Sequence, residues 1–206
     1  KIEPLPGTAA ITGAAVLVGV FLAVFGQVYQ TGADAYQLFV GWALLILPWV
    51  VMSRFAGLWI LWLAIVNVGV SLFWEQRIDA RGIDSEWLFL ILGLLNGLAA
   101  AFREVVTERG CVWLPIWFRR VTVAATLATL AAPAFSIIAD FSRTGSAAWV
   151  CVVALLIALA ILYWQFRLRT PDLFVLTSGA TTVTVLACTG VIRTLMEVGD
   201  EAIVFF

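Results

Sequence analysis

The chain has 206 residues, 63% of them hydrophobic and 12% charged, with a net charge of −1 and a mean hydropathy of +1.05. Soluble domains are closer to half apolar and a quarter charged, and a soluble fold of this length could not hide so much apolar surface; the bilayer is the expected solvent. Near-neutral charge gives no nucleic-acid footprint, and the absence of histidine removes the usual general base, proton shuttle and metal ligand.

A bilayer-crossing helix needs about 20 mainly apolar residues. Seven segments meet or nearly meet that length: 8–28, 36–52, 55–74, 86–102, 121–139, 147–164 and 173–192. The expected fold class is all-α, a polytopic transmembrane helical bundle forming one domain over 1–206. The chain lacks an initiator methionine and a signal-peptide pattern, and it ends on an apolar run, so it is expected to be a fragment of a longer protein.

The first span carries Ala15, Gly19 and Ala23 at four-residue spacing, a ridge that lets membrane helices approach closely. It runs into "FGQVYQTGADAYQLF", residues 25–39, which interrupts the apolar run. Gln27 and Gln30 are i,i+3 neighbours whose amides suit a helix end or an adjacent helix. Gly32 can take the left-handed conformation that stops a helix. Asp34, with Gln37 three residues on, fits a capping box, and its charge suits the positive end of the next helix. Thr31 offers a second cap, and Tyr29 and Tyr36 sit where an aromatic belt belongs. A turn needs one cap and one glycine. The surplus makes Gln27, Tyr29, Gln30, Asp34, Tyr36 and Gln37 a candidate ligand or partner site.

The second span is short and contains Pro48, which removes a helix hydrogen bond. Only Ser53-Arg54 separates it from the third, as in a tight helical hairpin. The third span holds Asn67 mid-way, and the link 75–86 alternates charge sign, with Asp84 or Ser85 expected to cap the fourth helix. The fourth has a second small ridge, Gly93, Gly97 and Ala101, with Asn96 beside it, and ends in Arg103-Glu104. Asn67 and Asn96 read first as interhelical glue, and second as the lining of a solute path. In the seventh span Ser178, Thr181, Thr182, Val185 and Thr189 share a face. Hydroxyls in a helix can bond back to a preceding carbonyl, so this face reads as packing before it reads as a pore. Arg193 and Glu197 could pair if that helix continues.

Trp49, Trp74, Trp87, Trp113, Trp117, Trp149 and Trp164 lie near span ends, as an aromatic belt requires; Trp42, Trp59 and Trp62 do not. Alternate links place Lys1, Arg54, Arg103, Arg109, Arg119, Arg120, Arg167 and Arg169 on one side. Arg77, Arg81, Arg143 and Arg193 fall on the other. The positive-inside rule then puts the Lys1 side in the cytoplasm and the 29–36 turn outside.

No catalytic signature is present: no HExxH, no GxSxG and no phosphate loop, and the only lysine is Lys1. Cys111, Cys151 and Cys188 are scattered and read as small hydrophobes rather than a zinc site or disulfide framework. No cofactor and no metal are expected.

"FGQVYQTGADAYQLFVGWALLILPW" followed by "RFAGLWILWLAIVNVGVSLFW" resembles the first half of a bacterial membrane-protein family of unknown function, domain of unknown function 2157. The resemblance covers residues 14–74. It implies an inner-membrane location, a longer protein and association with a second membrane protein, but carries no activity. Three functions follow in order. The first is a non-enzymatic membrane module that assembles with partner membrane proteins, or with itself, in an envelope-related role. The second is a transporter or channel for a small neutral solute, although no inverted repeat is evident between the halves. The third is an enzyme acting through Asp34.

Overall fold

The computed structural model describes residues 5–28, 32, 34–110, 113–140 and 145–204, and among them there is no β-strand. Seven helices long and apolar enough to cross a membrane follow one another, as the sequence predicts. They are α1 (Leu5–Val28), α2 (Ala35–Ser53), α3 (Ala56–Phe73), α4 (Glu86–Glu108), α5 (Ile116–Ala139), α6 (Ser146–Tyr163) and α7 (Leu173–Val204). In lipid, backbone groups have no water to bond, so each span satisfies its own ladder. α3 runs into a π-helical turn, Trp74–Ile78, and α6 into another, Trp164–Arg169.

The boundaries differ from expectation where arginine was taken to stop a span. α4 continues past Arg103-Glu104 to Glu108, and α5 begins at Ile116, so Arg119 and Arg120 lie in its first turns. Arginine and glutamate are good helix formers, and paired charges near a helix end do not break the backbone ladder. α7 continues through Arg193 to Val204, while the Glu197 side chain lies outside the described residues.

The α2–α3 hairpin is as tight as predicted. Arg54 takes the left-handed conformation (φ 47°, ψ 32°) and Phe55 is extended. Ser53 Oγ donates to the Val50 carbonyl at 3.3 Å and accepts the Phe55 N–H at 3.4 Å. One serine thus ties both sides of the reversal. Pro48 lies inside α2 and Pro133 inside α5.

The chain divides into two compact units, Lys1–Ile83 with Ala100–Arg119, and Asp84–Ala99 with Arg120–Phe206. The first is built around Ala15, Ala43, Ile46, Val50, Leu58 and Ile65. The α1 ridge receives an aromatic ring: Trp42 Nε1 donates to the Ala15 carbonyl at 2.7 Å, and a Cβ on Gly19 would stand 2.5 Å from the Trp42 ring. Trp62 Nε1 likewise donates to the Ala43 carbonyl at 3.1 Å. Trp59 lies 5.6 Å from both Phe102 and Trp113, beside buried Ala56, Leu114 and Phe118. The three tryptophans that fit no belt are therefore packing groups. Their indole N–H finds a carbonyl where a neighbouring helix offers one.

In the second unit the α4 ridge meets α5. A Cβ on Gly93 would stand 2.5 Å from Leu130, and one on Gly97 3.5 Å from Thr126. Cys151 is buried and its Sγ donates to the Glu86 carbonyl at 3.3 Å, while Cys188 is exposed; both are free. Cys111 lies outside the described residues. Val175 and Phe166 are buried, and Leu159 packs against Gly179.

Candidate functional site

The polar turn is organised by residues far away in sequence. Gly32 is left-handed (φ +62°), as a helix stop requires. Asp34 is the N-cap of α2 by backbone geometry (φ −65°, ψ 149°), but its side chain makes no cap bond. The capping box is therefore absent. Gln37 receives only the backbone bond, its N–H donating to the Asp34 carbonyl at 3.0 Å. The Asp34 carboxylate instead pairs with Arg77, from the π-helical turn after α3. A full guanidinium charge offers a carboxylate more than one backbone N–H does, and the α3 end brings it within reach.

Around this pair, Tyr36 stacks edge-on against Phe73 at 5.2 Å, and Arg77 lies 5.7 Å from the Tyr36 ring centroid. Gln76 Oε1 accepts the Tyr36 backbone N–H at 3.5 Å, and Gln37 Nε2 donates to the Tyr36 hydroxyl at 3.4 Å. Gln76 and Arg77 thus join Asp34, Tyr36 and Gln37. Gln27 is exposed on α1 and makes no side-chain hydrogen bond among the described residues, so it serves neither the helix end nor a neighbour. Tyr29, Gln30 and Thr31 lie outside the described residues. The alternating charge of the 75–86 link does not single out Arg77 in the sequence. Its i+43 distance from Asp34 leaves no local signal.

Three charged residues near span ends are buried. Arg103 and Arg119 are each 7% exposed. Both approach one atom, Glu104 Oε1, at 2.8 and 3.5 Å, which ties the end of α4 to the start of α5. Asp172 is 4% exposed and carries two loads. Its Oδ1 accepts the Phe174 N–H at 3.0 Å, capping α7, and the Arg120 guanidinium at 3.2 Å. Asp84 and Ser85, the expected caps of α4, contribute backbone carbonyls to Trp87 and Leu88 instead of side chains.

Within the spans, polar groups turn back on their own helices. Asn67 Nδ2 donates to the Leu63 carbonyl at 2.7 Å, and Asn96 Nδ2 to Leu92 at 2.8 Å. Ser178, Thr182 and Thr189 donate to the carbonyls of Phe174, Ser178 and Val185. Thr181 is exposed and makes no side-chain bond among the described residues. The seventh-span face was expected to pack, yet Val185 within it is 45% exposed. Local back-bonding let the hydroxyls do without a partner.

A run of seven membrane-length helices, joined by short polar links and without a metal-ligand cluster among the described residues, defines a polytopic helical membrane protein. Residues 2–59 match the family described as predicted membrane protein (DUF2157), the family that the turn and the second span resemble. The match takes in α1, the turn, α2 and the first residues of α3. No curated protein and no solved structure matches the chain.

Proposed function

We propose that the chain is a non-enzymatic module of a bacterial inner membrane that assembles with partner membrane proteins in an envelope-related role, with its Lys1 side in the cytoplasm. The observation that carries this reading is the inward satisfaction of its polar groups. Asn67, Asn96 and the α7 hydroxyls each spend a donor on a carbonyl of their own helix. Asp34, the candidate acid, is committed to Arg77. Such groups suit a scaffold better than a transport path or a catalytic centre.

Assembly is supported by how little the terminal spans are held. Only 11% of the most apolar window of α1 and of α7 is buried, against 44% for α5. The small-residue ridges do not add to this support, because Trp42 and Leu130 already occupy them. The turn bearing Gln27, Asp34, Tyr36 and Gln37 gives a partner its polar contact. Gentle solubilisation from native membranes should yield a particle heavier than one chain plus its micelle. A monodisperse monomer across a range of mild detergents would refute assembly.

A second reading, a transporter of a small neutral solute, draws on Pro48 and Pro133, each of which removes one backbone hydrogen bond inside a continuous span. It requires solute uptake that depends on Asn67 or Asn96. Uptake unchanged in Asn67→Leu and Asn96→Leu would remove it.

A further inference from the structure

One end of the first unit holds a cavity of about 300 Å³. Thr8 and Ile11 of α1, Trp49, Met52 and Ser53 of α2, and Phe55 line it. Its size is at the lower end for ligand sites, and its wall mixes apolar surface with two hydroxyl-bearing residues.

Three further observations bear on what it takes. Trp49 Nε1 is sealed from solvent and makes no hydrogen bond, as is true of Trp59 and Trp74 Nε1, whereas Trp42 and Trp62 in the same unit each reach a carbonyl; of those first three residues, Trp49 lines the cavity. Arg54 stands between two wall residues, Ser53 and Phe55. It is the one non-glycine residue with positive φ among those described, in a conformation that glycine or asparagine adopts more readily. By span order the same end of the unit holds Arg54, Arg103, Arg109 and Arg119 with Glu104 and Glu108 among the described residues; Arg103 and Arg119 are buried against Glu104, and Arg54 and Arg109 are exposed. Exposed Arg54 thus flanks a mainly apolar hollow at the span ends.

We propose that this cavity seats one phospholipid with an anionic headgroup. The phosphate lies at Arg54, and an ester carbonyl supplies the acceptor that the Trp49 indole lacks. An acyl chain covers Ile11, Met52 and Phe55. Basic pockets between membrane helices bind anionic headgroups by this combination of charge and apolar cover. The site is independent of the assembly reading, since a monomer or an oligomer could carry it.

Native mass spectrometry of the intact chain, released from neutral detergent with added dioleoylphosphatidylglycerol or dioleoylphosphatidylcholine, tests this. One tightly held phosphatidylglycerol is expected, retained about fivefold better than phosphatidylcholine, the preference that one interfacial arginine contact provides. Arg54→Gln keeps the same backbone demand and should bring the two lipids to parity. Trp49→Phe keeps the ring, loses the donor and should weaken both. Met52→Trp fills the hollow and should remove the tight lipid; Ile11→Trp fills it from α1 and serves where Met52→Trp fails to fold. Equal retention of both lipids by the unaltered chain would overturn the proposal. So would full retention by the filled variants that fold, or displacement of the lipid by excess inorganic phosphate, which would mark a free-anion site.

Discussion

Adding one methyl group at Gly19 tests how α1 is held. A Cβ there would stand 2.5 Å from Trp42 Cε2 and Cζ2, well inside the ~3.5–4.0 Å of a normal carbon contact. The ring has little freedom to yield. Its Nε1 is bonded to the Ala15 carbonyl at 2.7 Å, and Phe39 lies 5.9 Å from it. Overpacking of this kind costs about 1–3 kcal/mol. If the ring swings away, the interhelical hydrogen bond goes with it, a further loss of about 0.6–2 kcal/mol. Alanine returns up to about 1 kcal/mol through helix propensity. Gly19→Ala should therefore destabilise by about 1–3 kcal/mol overall. Trp42→Leu opens the space, so in that background Gly19→Ala should be neutral or mildly stabilising, a coupling of about 2 kcal/mol. Unfolding in mixed micelles followed by far-ultraviolet circular dichroism measures all four proteins without relying on indole emission. The same penalty in both backgrounds, or no penalty in either, would refute the packing of Trp42 into the α1 ridge.

Asp34→Asn and Arg77→Gln should each change stability only slightly, because both partners are substantially exposed, and their double variant should lose less than the sum; the same unfolding assay reads the cycle. Asp172→Ala should be among the most damaging single changes, about 2–4 kcal/mol, because it removes the buried carboxylate of a half-exposed ion pair and the α7 cap together. Asp172→Asn retains an acceptor for the Phe174 N–H and should cost less, and equal losses would show that the cap contributes nothing. In a cysteine-free background, Glu75→Cys should react with a membrane-impermeant maleimide in intact cells, and Arg109→Cys only after lysis; the reverse pattern would invert the proposed orientation.

Much of the architecture was legible because the bilayer imposes a length. All seven spans were placed, and the Ser53-Arg54 reversal and the left-handed Gly32 were anticipated, since each depends on a few adjacent residues. Span ends marked by arginine were misplaced. Arg103 and Arg119 stay in their helices because Glu104 neutralises part of their charge, and that pairing spans fifteen residues. Trp42, Trp59 and Trp62 could be read as packing between helices or facing lipid, but not which, because their partners, Ala15, Ala43, Phe102 and Trp113, are defined only once helices meet.

The turn shows the same division within a few residues. A capping box is a local prediction: it asks what Asp34 can reach along its own chain. The structure supplies a better partner from another helix, and Asp34 leaves the α2 N-terminus for Arg77. That exchange changes what the polar density means. Tyr36 is held by Phe73, Gln76 and Arg77, and Gln37 donates to Tyr36, so the turn is one half of a two-link surface instead of a self-contained reversal. A partner docking there would read residues from both links at once. Substituting Arg77 should then weaken docking as much as substituting Asp34, although Arg77 lies outside the family-matched segment and Asp34 within it. Loss of docking on Asp34→Asn alone would confine the surface to the turn.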